Sequence, residues 1–219
     1  EPMPPWFSLV LSAFAVVISV VTAWLTFFRK GKLMMTQPTI IFFGRDGEHH
    51  NEPKNKVFLR TLLYCTAKRG QVVESLHVAL HRNEAKQNFN IWVYGEKGAL
   101  KRGSGIFVPQ EGVTFDHHFL PPDDGAPFVF RAGTYKLVVF AKLVGERDPR
   151  ELMTMRLSIT DAYADELAAP NAGMYFDWGP DQQGYHARIE IRSPEGQRGG
   201  NTGDPIKRLF EVLTASAKK

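Results

Sequence analysis

The sequence predicts a mainly β protein, in which one N-terminal transmembrane helix precedes an antiparallel β-sandwich and a short amphipathic helix ends the chain. Three observations support this prediction. Residues 6–28 contain no charged side chain, residues 38–194 hold short β-rich runs between turn residues, and residues 204–219 place apolar side chains at helical spacing. Strands repeated at intervals of roughly 8–12 residues are typical of a sandwich or barrel. The predicted segments are 1–5 (a short extracytoplasmic N-terminus), 6–28 (the transmembrane helix), 29–37 (a basic juxtamembrane linker), 38–194 (the sandwich), 195–203 (a flexible linker) and 204–219 (the C-terminal helix).

The apolar segment 6–28 has the length and the flanks of a membrane anchor. Its 23 residues, at about 1.5 Å each, give roughly 34 Å, enough for a hydrocarbon core of about 30 Å. Basic residues follow the apolar run, whereas a signal peptide carries them before it, so we expect an uncleaved anchor. The positive-inside rule then places residues 33–219 in the cytoplasm and the N-terminus outside, at the cell (inner, cytoplasmic) membrane. The expected membrane-interface anchors are Trp6, Trp24, Phe27, Phe28, Arg29, Lys30 and Lys32.

Small and hydroxyl side chains recur along this segment in steps of four and three residues. That spacing keeps them on one face of a helix, where they let a neighbouring transmembrane helix approach closely. The alternative is that each hydroxyl is satisfied by a carbonyl of its own helix and the pattern has no partner. The predicted helix-packing face consists of Ser8, Ser12, Ala15, Ser19, Thr22 and Thr26.

Several runs between residues 38 and 194 are predicted as strands. Residues 56–66 are apolar on both faces, which indicates a central strand, and residues 72–81 alternate between apolar and polar, as a half-buried strand does. Residues 88–94 (NFNIWVY) alternate in the same way and are predicted as one strand. Because no long amphipathic helix lies between the strands, parallel βαβ units are not expected.

The best fold marker is the segment 130–140 (FRAGTYKLVVF), in which Gly133 lies two residues before Tyr135 and apolar residues alternate afterwards. This pattern resembles the corner before a late strand of immunoglobulin-like sandwiches. In those sandwiches a tyrosine hydroxyl at this corner bonds back to the backbone. The resemblance covers one short segment and implies the architecture only. The cysteine pair of antibody domains is absent, because the sequence has a single cysteine.

The C-terminal third of the sequence predicts a short helix, a hairpin and a final helix. Residues 161–169 form the short helix, and residues 174–178 and 185–192 form a hairpin that either completes a sheet or lies outside the sandwich. The final helix begins after the N-cap Asp204 and has one apolar face, which packs on the sandwich, in a partner's groove or on the cytoplasmic leaflet. The candidate protein interface consists of Trp178, Arg188, Arg192, Ile206, Leu209, Phe210 and Leu213.

Charge and motif content argue against nucleic-acid binding and provide no catalytic signature. The net charge is +4, of which residues 1–32 supply +2 from three cations and one carboxylate, and no basic stripe interleaved with aromatic residues appears. Adjacent histidines point to opposite faces of a strand, so His49-His50 and His117-His118 are interpreted as solvated loop residues rather than metal ligands. Cys65 lies inside an apolar run and is expected in the core. We predict no enzyme, catalytic residue, cofactor, metal site or small-molecule substrate.

These features together predict a non-catalytic, single-pass accessory subunit. Its expected partners are the lipid bilayer and the transmembrane helices of a larger complex of the respiratory, photosynthetic, transport or secretion type. The anchor would pack against those helices, and the sandwich would clamp or prop the cytoplasmic face of the complex. Two alternatives stay open: a membrane-tethered module that binds a ligand or peptide, and an enzyme without a recognisable motif.

Overall fold

The computed structural model describes residues 4–29, 31–45, 54–96, 99–122 and 128–191. Several predictions fall outside these residues. They concern Lys30, His49-His50, Arg192, the linker 195–203 and the final helix 204–219 with Ile206, Leu209, Phe210 and Leu213.

The chain begins with one long apolar helix. Helix α1 spans Pro5–Ala23 with proline at its first position, where the missing N–H costs nothing, and a π-helical turn, Trp24–Phe28, continues it. The window Trp6–Phe28 has a mean hydropathy of 2.3 and no buried residue, so it is long and apolar enough to cross a membrane. A signal sequence shares these properties.

The rest of the described chain is almost entirely strand. Every strand pair is antiparallel, as the sequence predicted. The described residues form thirteen strands: β1 Leu33–Met35, β2 Ile40–Arg45, β3 Asn55–Cys65, β4 Gln71–Arg82, β5 Ala85–Phe89, β6 Ile91–Glu96, β7 Ala99–Arg102, β8 Ile106–Val108, β9 Val113–Leu120, β10 Gly133–Leu143, β11 Arg150–Ile159, β12 Ala172–Gly179 and β13 Gly184–Ile191.

These strands form two sheets. The larger sheet has eight strands in the order β13-β12-β2-β3-β9-β6-β7, with β1 also paired to β3. The smaller sheet has five strands in the order β11-β10-β4-β5, with β8 also paired to β4. Strand β3, predicted as central, lies in the middle of the larger sheet. Its outward side chains Phe58 and Leu62 are half-buried, which explains why this run is apolar on both faces.

One hydrophobic core takes side chains from both sheets. Phe43 of β2 stacks on Phe130 with ring centres 4.7 Å apart and meets the ring of Tyr135 in β10 edge-on at 6.2 Å. All three rings are buried, and burial of an aromatic side chain of this size stabilises a fold by about 1.5–3 kcal/mol. These contacts join the larger sheet to the smaller one.

A tyrosine hydroxyl bonds back to the backbone at the start of β10. The Tyr135 hydroxyl donates to the Arg131 carbonyl over 2.7 Å and accepts from the Arg131 N–H over 2.8 Å. The two bonds fix the bend by which the chain enters the strand. The described residues form more strands than the seven to nine of an immunoglobulin domain.

The single strand predicted over residues 88–94 is wrong. The chain leaves the smaller sheet after Phe89 and enters the larger sheet at Ile91, with Asn90 as the crossing residue. Phe89 and Trp92 then reach the same core from opposite sheets, and both are buried. In β5 the odd-numbered residue Phe89 faces the core, whereas in β6 the even-numbered residue Trp92 does. The alternation of apolar and polar residues continues through Asn90, so it does not reveal the change of sheet.

The predicted short helix and hairpin are both observed. Helix α2 spans Asp161–Leu167, and the Thr160 hydroxyl caps it by accepting from the Tyr163 N–H at 3.3 Å. Strand β12 pairs with β2, so the hairpin β12-β13 extends the larger sheet rather than lying outside it. The Tyr163 hydroxyl donates to the Ala187 carbonyl at 3.2 Å, which holds α2 against the inner face of this hairpin.

Candidate interaction surfaces

The junction between helix and sandwich is held by hydrogen bonds to the turn between β3 and β4. The Lys32 N–H donates to the Thr66 hydroxyl at 2.8 Å, and the Thr66 N–H donates to the Lys32 carbonyl at 3.0 Å. The Gln71 side-chain amide donates to the Gly31 carbonyl. A Cβ on Gly31 would lie 2.6 Å from the Ala67 nitrogen, so the close approach requires glycine. Gly31 and Lys32, which follow the helix, are therefore held against the β domain.

Cations cluster around this junction. Arg29, Lys32, Lys68 and Arg69 are all exposed, and the structure gives none of them an ion pair within the part of the chain it describes. A cleft of about 320 Å³ separates the helix end from the β3–β4 turn. It is lined by Thr22, Leu25, Thr26, Arg29, Thr66, Ala67, Lys68 and Gln110.

Three hydroxyls of the predicted helix-packing face bond within their own helix. Ser12 donates to the Ser8 carbonyl at 2.9 Å, Ser19 to the Ala15 carbonyl at 2.8 Å, and Thr22 to the Ile18 carbonyl at 2.8 Å. These hydroxyls are therefore satisfied by carbonyls of their own helix, without a partner helix. This arrangement satisfies the donors without occupying the face, so packing of this face against another helix stays a prediction.

A basic row crosses the outer face of the smaller sheet. The row consists of Lys86, His81, Lys136 and Arg156, which lie directly opposite one another on β5, β4, β10 and β11. Their chain neighbours Leu80, Leu137 and Leu157 are buried, so by strand alternation the row faces outward. Residues opposite one another on adjacent strands lie about 5 Å apart. Four basic side chains thus form one line across the sheet.

Nothing in the described chain neutralises this row. No ion pair involves Lys86, Lys136 or Arg156 among the described residues. Like charges directly opposite each other destabilise a sheet. On the same face His77 stacks on Phe140, with ring centres 4.9 Å apart. Burial lowers the pKa of His77, and the charge of Lys86 lowers it further.

This row cannot be recognised in the sequence, because its members are far apart in the chain. Lys86 and Arg156 lie at the two ends of the row. They are brought into one line by the pairing of β5 with β4, of β4 with β10 and of β10 with β11. The one signal in the sequence is that each basic residue occupies a polar position of an alternating strand. Recognising the row requires the strand order, which the alternation does not give.

The hairpin residues of the candidate protein interface lie on different faces. Arg188 of β13 donates to Asp177 at 2.7 Å and to Glu190 at 3.1 Å, and its guanidinium lies 4.4 Å above the Tyr175 ring. The hydrogen bond to Asp177 is the main cause that raises the pKa of Arg188. Trp178 lies on the opposite face, where its ring packs at 5.1 Å against Tyr185. Arg188 and Trp178 therefore do not share one surface.

The interpretation of His117 and His118 as solvated loop residues is wrong. Both lie in strand β9, and their side chains point to opposite faces of the larger sheet. His117 is 1% exposed, inside the core, and its Nδ1 accepts a hydrogen bond from the Trp92 indole at 3.1 Å. His118 packs edge-on against Phe58, with ring centres 4.9 Å apart. In the described ranges, no three His, Cys, Asp or Glu side chains converge to hold a metal ion.

Cys65 is buried, as predicted. Its side chain belongs to the hydrophobic core, and burial raises the pKa of its thiol. A thiol with a raised pKa is a poor nucleophile, because the thiolate is the reactive form.

No known protein family matches the sequence, and no curated protein matches it. The features that bear on function are therefore the junction, the cations around it and the basic row.

Proposed function

We propose that this protein is a single-pass, non-catalytic accessory or scaffold subunit of a larger integral-membrane complex. Its helix crosses the bilayer with the N-terminus outside, and its β domain lies in the cytoplasm. The domain is an immunoglobulin-like sandwich with added strands, an assignment supported by the Tyr135 corner. It binds a partner subunit through the basic row, and the partner supplies acidic side chains.

The basic row is the observation that carries this proposal. The described chain leaves three formal charges and one histidine side by side without an acidic neighbour across the sheet. A partner with carboxylates at the matching spacing would remove the repulsion and gain charge-assisted hydrogen bonds. Complementary charges across an interface also favour the correct partner and exclude others of like charge.

The junction supports a scaffold rather than a loosely tethered module. Residues 29–32 connect the helix to β1, and hydrogen bonds from Lys32 and Gln71 hold that connection to the β3–β4 turn. These bonds keep the edge of the β domain close to the end of the helix. The exposed cations Lys68 and Arg69 add to the basic residues after the helix, which favours the cytoplasmic side for this end.

The test is co-purification from native membranes in mild detergent. We expect wild-type protein to elute with stoichiometric companions and Arg156→Glu to lose them. The matched control is Arg102→Glu, the same substitution at an exposed strand arginine of the other sheet. Wild-type protein that elutes as a monomer without companions would overturn the proposal, and so would equal retention by both variants.

A ligand-binding module is the second candidate, and one cleft favours it. The cleft has a volume of about 270 Å³, just under the usual range for small-molecule sites. It lies at the end of the smaller sheet that is remote from the helix, where β4 ends and where β5 and β10 begin. Its lining includes the cations Arg82, Lys86 and Arg131. An anionic ligand bound there would raise the melting temperature further with each increase in its concentration, roughly with the logarithm of that concentration, and Arg131→Ala would remove that shift.

A further inference from the structure

We propose that the end of the sandwich beside the helix inserts into the surface of an anionic lipid leaflet. The inserting surface is an apolar cap formed by Val72, Phe107 and Val144. The inference rests on the proposed anchoring of the chain by its helix, and it adds a second, lipid-binding site on the folded domain.

The cap is one contiguous surface at the end of the smaller sheet. Val72 and Phe107 are directly opposite each other on β4 and β8, and the Val144 N–H donates to the Val72 carbonyl at 3.0 Å. Their exposed fractions are 43%, 56% and 62%, high for large apolar side chains. A shallow cleft of about 350 Å³ lies between Phe107 and Val144. Three apolar side chains from separate chain segments thus meet in solvent.

The cap lies beside the point where the helix joins the domain. Gln71, the residue before Val72, donates to the Gly31 carbonyl, and Gly31 is three residues after the end of the helix at Phe28. Three extended residues span at most about 10 Å. The headgroup layer on each side of a bilayer is about 5–8 Å thick. A helix that crosses the bilayer therefore holds Gln71 and its neighbour Val72 at the membrane surface.

Charges next to the cap complement anionic headgroups. Lys68 and Arg69 lie in the turn that leads into β4, and Arg29 and Lys32 lie in the junction bonded to that turn. Within the described residues the carboxylates at this end are Glu74, Glu111, Glu146 and Asp148, of which Glu74 is paired with Lys142 and Glu146 with Arg150. Unpaired cations beside exposed apolar side chains match the layering of a leaflet, where headgroup charge lies above the acyl boundary. A soluble protein partner would not explain why the cap adjoins the helix.

The experiment measures lipid contact at the cap in the full chain reconstituted in vesicles. A polarity-sensitive fluorophore is attached at Val144→Cys, and quenching by nitroxide-labelled lipid is recorded. The matched control is Val129→Cys, an equally exposed valine (55%) near the opposite end of β10. A third label at Trp24→Cys reports whether the helix itself is inserted. The vesicles contain phosphatidylcholine alone or phosphatidylcholine and phosphatidylglycerol in equal amounts.

We expect Val144→Cys to be quenched several-fold more than Val129→Cys in the anionic vesicles, and less in phosphatidylcholine alone. Adding Lys68→Glu and Arg69→Glu should reduce quenching at position 144 and leave it unchanged at position 24. Quenching at position 24 with none above the Val129→Cys level at position 144 would overturn the cap and leave the anchor intact. The absence of quenching at position 24 would overturn the anchor and, with it, the cap.

Discussion

The indole of Trp92 donates a hydrogen bond to Nδ1 of His117 across 3.1 Å inside the core of the sandwich. Nδ1 is therefore the acceptor, and the proton of the neutral ring lies on Nε2. Nε2 has no hydrogen-bond partner among the described residues. A second proton would place a charge in the core, so burial lowers the pKa of His117 to about 4, against a smaller opposing effect of Asp116.

This pair predicts that acid destabilises the fold between pH 6.5 and about 4. The unfolded chain protonates His117 below its ordinary pKa of 6.5, whereas the folded chain keeps it neutral down to about 4. The free energy of unfolding should therefore fall as the pH decreases through this window, by up to roughly 3 kcal/mol from this residue. Urea unfolding at a series of pH values measures the slope.

The variant His117→Asn isolates this contribution. An asparagine oxygen can accept from the Trp92 indole and does not titrate, so the slope between pH 6.5 and 4 should become shallower. The control is His186→Asn, because His186 lies exposed on β13 and should leave the slope unchanged. Equal slopes for His117→Asn and wild-type protein would contradict the assignment.

Replacing Tyr135 by phenylalanine should destabilise the sandwich by about 2 kcal/mol. The change removes both hydrogen bonds to Arg131 and leaves an N–H and a carbonyl without their partner. Tyr94→Phe is the control, because Tyr94 is part-buried in the core and its hydroxyl makes no hydrogen bond in the described chain. Thermal unfolding of both variants distinguishes the two, and a loss equal to that of the control would exclude the bond as a stabilising element.

Alanine substitutions at two glycines with left-handed backbone distinguish the cost of backbone strain from the cost of a steric clash. Gly70 and Gly145 have φ of +65° and +84°. A Cβ on Gly145 meets no atom within 4 Å, so Gly145→Ala should cost only about 1 kcal/mol of backbone strain. A Cβ on Gly70 would lie 2.5 Å from the Phe107 ring and 2.8 Å from the Val108 oxygen, so Gly70→Ala should cost at least about 1 kcal/mol more.

Chemical denaturation of the two alanine variants gives the comparison directly. Phe107 is exposed and its ring can move, whereas the Val108 carbonyl belongs to the β4–β8 pairing and is fixed. Adding Phe107→Ala to Gly70→Ala should therefore recover only part of the loss. Similar losses in the free energy of unfolding for Gly70→Ala and Gly145→Ala would contradict this expectation. They would show that the Val108 carbonyl of β8 moves aside without destabilising the fold.

The thiol of Cys65 should react with an aromatic disulfide at least about 100-fold more slowly in the native protein than in denaturant. Its side chain is 1% exposed, and burial raises its pKa. The Val144→Cys variant supplies an exposed thiol for comparison in the same protein. Leu33 of β1 lies opposite Cys65 of β3. Rapid reaction of Cys65 under native conditions would therefore show that β1 separates readily from β3.

Local patterns in the sequence were sufficient to place several elements. The central strand β3, the short helix α2 and the hairpin β12-β13 all lie where alternation, capping and turn residues predicted them. The Tyr135 bond also follows from its neighbourhood, because donor and acceptor are four residues apart. In each case the decisive contacts are close in the chain.

Features that depend on distant pairings could not be derived in this way. The crossing at Asn90 changes sheets without breaking the alternation, so Phe89 and Trp92 were assigned to one strand although they face the core from two sides. The basic row and the apolar cap combine residues from three or four segments. Their members look like ordinary surface positions until the strand order brings them together.

The short junction also determines how far the basic row lies from the end of the helix. Measured along β10 at about 3.4 Å per residue, Lys136 lies roughly 24 Å beyond Leu143, which marks the end beside the helix. Under the proposed function, the carboxylates of a partner must reach a site about 24 Å along β10 from the end beside the helix. The proposed partner therefore needs a cytoplasmic part that extends at least this far from the helix end of the domain, in addition to complementary charge.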